Sequence, residues 1–88
     1  MNLIINFTEK QGEVELGLKD GKRLIDTLTF EFEANLDSVL IAAVDKILKR
    51  NRIDTSSLKT VEVAGNVNKD SSAYKIVQTF IEAIKASK

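Results

Sequence analysis

The residues Glu13-Val14-Glu15-Leu16-Gly17-Leu18-Lys19 alternate strictly between polar and apolar and run straight into Asp20-Gly21. A period of two marks a strand with one buried face. Asp-Gly beside such a run is a hairpin signal, because both central positions of a type I′ turn need positive φ. A further strand must follow. Lys22 to Glu33 supplies it, with Leu28, Phe30 and Phe32 on one side and Thr27, Thr29, Glu31 and Glu33 on the other. Upstream, Leu3-Ile4-Ile5-Asn6-Phe7-Thr8 is apolar and partly β-branched and ends in Glu9-Lys10-Gln11-Gly12, as a strand entering a turn does. Three antiparallel strands are expected to open the chain.

The period then changes. From Leu36 to Arg50 the apolar residues Leu36, Val39, Leu40, Ala43, Val44, Ile47 and Leu48 recur at three- and four-residue spacing, with Lys49, Arg50 and Arg52 where a helix dipole favours cations. Asn35 is the expected N-cap. After a polar loop, Asn51 to Ser57, comes a fourth strand, Leu58 to Ala64, stopped by Gly65-Asn66. Ser71 or Ser72 then caps a second helix running to Ala86, with Ile76, Val77, Phe80, Ile81 and Ile84 as its stripe. A helix between strands three and four is a crossover long enough to set strand four parallel to strand one. The simplest sheet order is 3-2-1-4.

Leu3, Ile5, Phe7, Val14, Leu16, Leu18, Leu28, Phe30, Phe32, Val61 and Val63 fall on one face of this sheet. The other face takes Glu13, Glu15, Lys19, Thr27, Thr29, Glu31, Thr60 and Glu62, with Ile4 and Ile25 as apolar members. A sheet sandwiched by helices would be apolar on both sides, so both helices belong on the same face. The expected fold is an α/β two-layer sandwich, β-β-β-α-β-α, in a single domain over residues 1–88, with one open acidic face. The apolar arcs of the helices span roughly 200° and 180°, against about 100° for a typical surface helix. Two readings of the excess stand: the helices cover each other, or a protein partner or second copy docks on a ridge including Ile41, Leu48, Tyr74 and Ile81.

The chemical inventory is poor. There is no Cys and no His, which removes thiolate nucleophiles, disulfides, and the commonest general base and metal ligand. Lys+Arg and Asp+Glu are 13 each, so no net field steers a polyanion, and a nucleic-acid or anionic-membrane binder would need a local basic patch. Lys46, Lys49, Arg50 and Arg52 with Lys59 form the only basic cluster in the sequence, and helix-end electrostatics accounts for it. Nucleic acid and membrane are therefore not expected partners. No apolar run reaches the length of a membrane span, and Met1 to Asn6 lacks the features of a leader, so a cytoplasmic location is expected. Glu13, Glu15, Glu31 and Glu62 raise a magnesium hypothesis, against which stands a solvated face that uses charge to resist aggregation. Nothing in the sequence separates the pKa values of two carboxylates as catalysis requires. The loop Gly65 to Ser72 lies between a strand and a helix N-terminus, where phosphates bind in many α/β folds, although Asp70 puts negative charge there.

With these residues in place, the chain resembles the TsaB family, the catalytically inert, glycoprotease-like members of the actin/Hsp70-type ATPase fold in bacterial threonylcarbamoyladenosine tRNA modification. That family opens with a strand of the type Ile-Leu-Ala-Ile-Asp-Thr-Ser, followed by two strands around Asp-Gly. Leu3 to Thr8, Glu13 to Lys19, Asp20-Gly21 and Lys22 to Phe32 follow suit. Leu58-Lys59, Thr60 to Ala64 and Gly65 are similar to the lead into its Gly-Pro-Gly-Ser-Phe-Thr-Gly-Leu-Arg-Ile segment, and Ser72-Ala73-Tyr74-Lys75-Ile76 is a softened version of Thr-Gly-Leu-Arg-Ile. Asn6 replaces the family's acidic residue, Gly65 alone remains of Gly-Pro-Gly, and Glu33-Ala34-Asn35 carries no counterpart of its His-Ser-Glu. The chain also stops after helix two, before the strand and second lobe that close the nucleotide cleft in relatives.

The resemblance implies a non-catalytic interaction domain without cofactor or metal, pairing through its helical layer with a TsaD-like enzyme or with itself. The alternative is a small-ligand or nucleotide-binding remnant using Gly65 to Ser72. A ribonuclease H-like nuclease remnant shares the strand order but lacks the acid at Asn6.

Overall fold

The computed structural model describes residues 1–65, 67–68 and 70–86. Asn66 and Lys69, within the expected strand-stop and phosphate loop, lie outside the described residues. Strands β1 (Asn2–Phe7), β2 (Glu13–Asp20) and β3 (Arg23–Glu31) precede helix α1 (Leu36–Arg50); a 3₁₀ turn (Thr55–Ser57), strand β4 (Thr60–Gly65) and helix α2 (Ser72–Ala86) complete the chain. The sheet order is β3-β2-β1-β4, with β4 parallel to β1 and the other pairs antiparallel. Architecture and order are those expected from the sequence.

Alternation in β1 and β2 buries Leu3, Ile5, Phe7, Val14, Leu16 and Leu18 on one face, in one core cluster with residues from α1 and α2. The two helices therefore share that face. α1 contributes Leu36, Leu40, Ala43, Val44, Ile47 and Leu48, and α2 contributes Val77, Ile81 and Ile84. Each fully buried Leu or Ile contributes about 1.5–3 kcal/mol of transfer free energy. Leu58, ahead of β4, is also buried, and the Lys59 N–H donates to the Met1 carbonyl at 2.7 Å, which hooks the incoming chain onto β1.

The hairpin differs from expectation in two respects. Asp20 pairs with Arg23, so the two-residue loop is Gly21-Lys22, and φ is positive at Gly21 (63°) but not at Lys22. That is the demand of a type II′ turn, with glycine first, and not of type I′. The register also slips beyond the turn: Leu18 faces Asp26 while Lys19 faces Leu24, leaving Ile25 as the extra residue of a β-bulge. Leu24 thereby joins Ile4 on the open face, the place strict alternation assigns to Ile25. A Cβ on Gly17 would touch Leu24 Cδ1 at 3.8 Å and Ile4 Cβ at 4.0 Å, so the glycine lets these side chains approach across β2.

The slip puts Asp26 beside the end of α1. Its Oδ2 accepts hydrogen bonds from Arg50 Nε and Asn51 Nδ2, each at 2.8 Å, and stands in ion-pair contact with Arg50 Nη2 at 2.8 Å. Arg50 Nη2 also donates to the Thr27 carbonyl, and Asn51 Nδ2 to the Ile47 carbonyl. The clamp ties α1 to β3. The helix ends in a Schellman motif: Ile53 N–H donates to the Leu48 carbonyl at 2.9 Å and Arg52 N–H to the Lys49 carbonyl at 3.1 Å. Arg52 stands at the left-handed position with φ 58°, where an L-residue costs about 1–2 kcal/mol relative to the right-handed region. At the other end of α1, Asn35 occupies the cap position, but its side chain makes no capping bond. Ser71 caps α2, its Oγ accepting from Tyr74 N–H at 3.2 Å.

Two outcomes follow from these contacts. Gly65 has φ 91°, and a Cβ there would lie 2.1 Å from the Phe7 carbonyl oxygen; Gly65→Ala is expected to lose at least about 2 kcal/mol in urea unfolding. The hydrogen bond from Asn51, followed by those from Arg50 and the Thr27 N–H, holds the Asp26 carboxyl below its ordinary 3.8 despite an opposing desolvation effect. A depressed acid adds stability that is complete above its unfolded pKa and disappears as pH falls through the folded value. Asp26→Asn should therefore lower stability at neutral pH and flatten its decline below about pH 4, as read by thermal unfolding across the acid range.

Candidate functional site: the groove between the helices

α1 and α2 lie side by side over one sheet face, and their outer flanks leave a groove of about 430 Å³ lined by Asp37, Leu40 and Ile41 from α1 and Lys75, Ile76, Thr79, Phe80 and Ala83 from α2. Ile41 is 58% exposed. Ile76 and Phe80 pack against the core with one side and face the groove with the other. The walls are mostly apolar, with one carboxylate, one ammonium and one threonine hydroxyl as polar members.

The four residues expected on an exposed ridge separate. Ile41 stands on the groove. Leu48 and Ile81 are 3% and 4% exposed and belong to the core, so neither is available to a partner. Both sit toward one edge of their helices' apolar arcs, and a wheel alone does not show which edge the sheet covers. Tyr74 is half-buried and takes a hydrogen bond on its hydroxyl from Gln78 Nε2 at 2.9 Å. It lies two residues, hence about 160°, round α2 from Ile76 and so faces away from the groove. The residues missed were Ile76 and Phe80, assigned to the core stripe; their four-residue spacing from each other, with Thr79 three residues after Ile76 and Ala83 three after Phe80, carries the signal of a shared flank.

A second hollow of about 450 Å³ opens where β1 ends near the start of α2, between Phe7, Thr8, Lys10, Gly12, Asn68 and Ser71. Several of its polar groups are engaged locally. Thr8 Oγ1 donates to Glu13 Oε1 at 2.9 Å, Asn68 Oδ1 accepts from Asp70 N–H at 2.9 Å, and Ser71 Oγ donates to the Asn68 carbonyl at 2.6 Å. Gly65 has a structural cause in the contact with Phe7 described above, with no phosphate needed to explain it. On the open sheet face Glu13 stands directly opposite Glu31, and Lys10 pairs with Glu31. The hydrogen bond and charge of Lys10 hold that carboxyl below 4.5, and Glu31 in turn raises the Lys10 ammonium. Among the described residues no three acidic side chains gather as metal ligands. No described helix is long and apolar enough to cross a membrane.

The sheet order and the paired helices can be set beside known proteins. No family model matches the chain, and no curated protein matches it in sequence. Among solved structures it is similar to YeaZ (TsaB) from Pseudomonas aeruginosa, with a TM-score of 0.73 and 10% identity over 99% of this chain. The likeness is one of fold. The chain spans 40% of the length of that structure, so it has the shape of a partial TsaB-like fold.

Burial separates two substitutions that look alike in sequence. Ile81→Asp would place a carboxylate in the core at a cost above about 4 kcal/mol, a large share of a small domain's stability. It is expected to unfold the protein, whereas Ile41→Asp should leave the circular dichroism spectrum and melting temperature close to those of the parent.

Proposed function

We propose that the chain is a non-catalytic, TsaB-like protein-interaction domain that docks a second pair of helices into the groove between α1 and α2. The observation that carries this reading is Ile41, the most exposed of the large hydrophobic side chains, on a groove otherwise walled by Leu40, Ile76, Phe80 and Ala83. Asp37 and Lys75 also line the groove. In a two-fold interface a contact from residue i to residue j recurs as j to i, so one acid and one base on the same patch suit a second copy of the chain. A TsaD-like enzyme is the heterologous partner that the TsaB resemblance implies, with tRNA threonylcarbamoyladenosine modification as the setting.

Sedimentation over a range of concentrations tests the interface. The chain should self-associate, Ile41→Asp should weaken association at least about tenfold, and a TsaD-like enzyme from the same host should displace the second copy. A monomer at every concentration that retains no such enzyme would end this reading. The alternative, a nucleotide-binding remnant at the hollow by α2, finds support in the position of that hollow at the strand ends and a helix N-terminus. ATP with magnesium separates the two: a raised melting temperature favours the remnant, and an unchanged one the docking domain.

A further inference from the structure

The zero net charge is the sum of two unlike ends. Where β1, β4 and α2 meet their loops, the molecule carries Glu9, Glu13, Glu31, Glu33, Asp37 and Asp70, with Lys10 and Lys75 in opposition. The other end collects the end of β2, the start of β3, the end of α1 and the approach to β4. The pairings Asn2 with Lys19, Asn2 with Thr60 and Asp20 with Arg23, together with the Asp26 clamp on α1, bring Lys19, Lys22, Arg23, Arg52 and Lys59 to this one end. Arg50 is engaged by Asp26 and Lys49 by Asp45, but among the described residues none of these five forms an ion pair. Only Asp20 and Asp54 offset them nearby, so the end is positive.

Among the described residues three large hydrophobic side chains are exposed, and two of them are neighbours here: Leu24 at 54% and Ile25 at 36%. The bulge exposes both, turning Leu24 onto the open face opposite Lys19 and leaving Ile25 unpaired. Arg52 also belongs to this end, held at the left-handed C′ position that helices ordinarily give to glycine. A long cationic side chain is thus kept at a backbone position that favours none.

We propose that this end of the molecule, the β2–β3 hairpin with Arg52 and Lys59, is a peripheral binding site for an anionic lipid surface, with Leu24 and Ile25 entering the headgroup layer between flanking cations. A phosphate polymer would use the cations but not the two aliphatic side chains, and no Trp, Tyr or Phe lies in the tip of the hairpin, residues 18–26, to stack on bases. A lipid surface uses both. Weak apolar insertion and a basic cluster are the two signals that together hold a protein on a membrane. This departs from the expectation, drawn from zero net charge and the lack of a basic patch in the sequence beyond the end of the first helix, that a membrane is no partner. The site is separate from the groove between the helices, and its test does not depend on that reading.

The test is co-sedimentation of the full chain with vesicles of phosphatidylcholine alone and of phosphatidylcholine with phosphatidylserine, at low and high salt. Binding is expected only to the anionic vesicles and should fall as salt rises. Lys22→Glu with Arg23→Glu, both on exposed sites, should reduce partitioning more than about tenfold, since each cation near such a surface contributes about fivefold. Leu24→Ser should weaken binding while leaving the charge intact, with the fold checked by circular dichroism. Equal pelleting with both vesicle types, no pelleting with either, or binding to polyuridylate that Leu24→Ser leaves unchanged would each overturn the proposal.

Discussion

The four strands turn most of their large apolar residues to the same side of the sheet, and almost everything else in the molecule is a response to that. One greasy face needs one cover. Two helices of 15 residues each provide it, and they must lie next to each other to do so. Side-by-side helices bury their lower arcs on the sheet and part of their facing flanks on one another. The upper flanks converge without a third layer over them, which is why the groove exists at all. Its apolar walls are continuous with the core through Leu40, Ile76 and Phe80.

The fold was legible because its governing signals are local. Period two in Glu13 to Lys19, period 3.6 in Leu36 to Arg50 and the length of the crossover between strands each restrict the geometry within a few residues of chain, and together they leave little freedom in strand order. What escaped was also specific. Nothing in Lys22 to Phe32 announces a bulge at Ile25, because the residue that makes it acceptable is Gly17 on the neighbouring strand, where an absent side chain lets Leu24 lie over β2. The turn falls one residue later than the dipeptide places it for a related reason: Asp20 pairs with Arg23 within the ladder, a cross-strand pairing invisible to a dipeptide rule.

The site was less legible than the fold. Helical spacing locates an apolar arc but not the direction in which its centre points, and that direction is set by the tilt of each helix on the sheet. Leu48 and Ile81 fell to the core on this account, and Ile41 alone stayed outside. Charge posed the opposite problem. Lys19, Lys22 and Arg23 are remote in sequence from Arg52 and Lys59, and only the register of four strands and the bond from Arg50 to Asp26 gather them. A sum over the chain conceals such a separation of sign, since the excess of cations at one end is offset by the excess of acids at the other.

The single parallel pairing has a kinetic meaning. The hairpin and α1 close short loops and can form within microseconds, but β1 finds β4 only after the intervening strands and helix have been traversed. Barrier crossing is therefore expected to await that long closure, with Asp26 and Arg50 shortening the effective search by holding the end of α1 near the incoming segment. With no proline in the chain, no isomerising bond competes with it as the slow event.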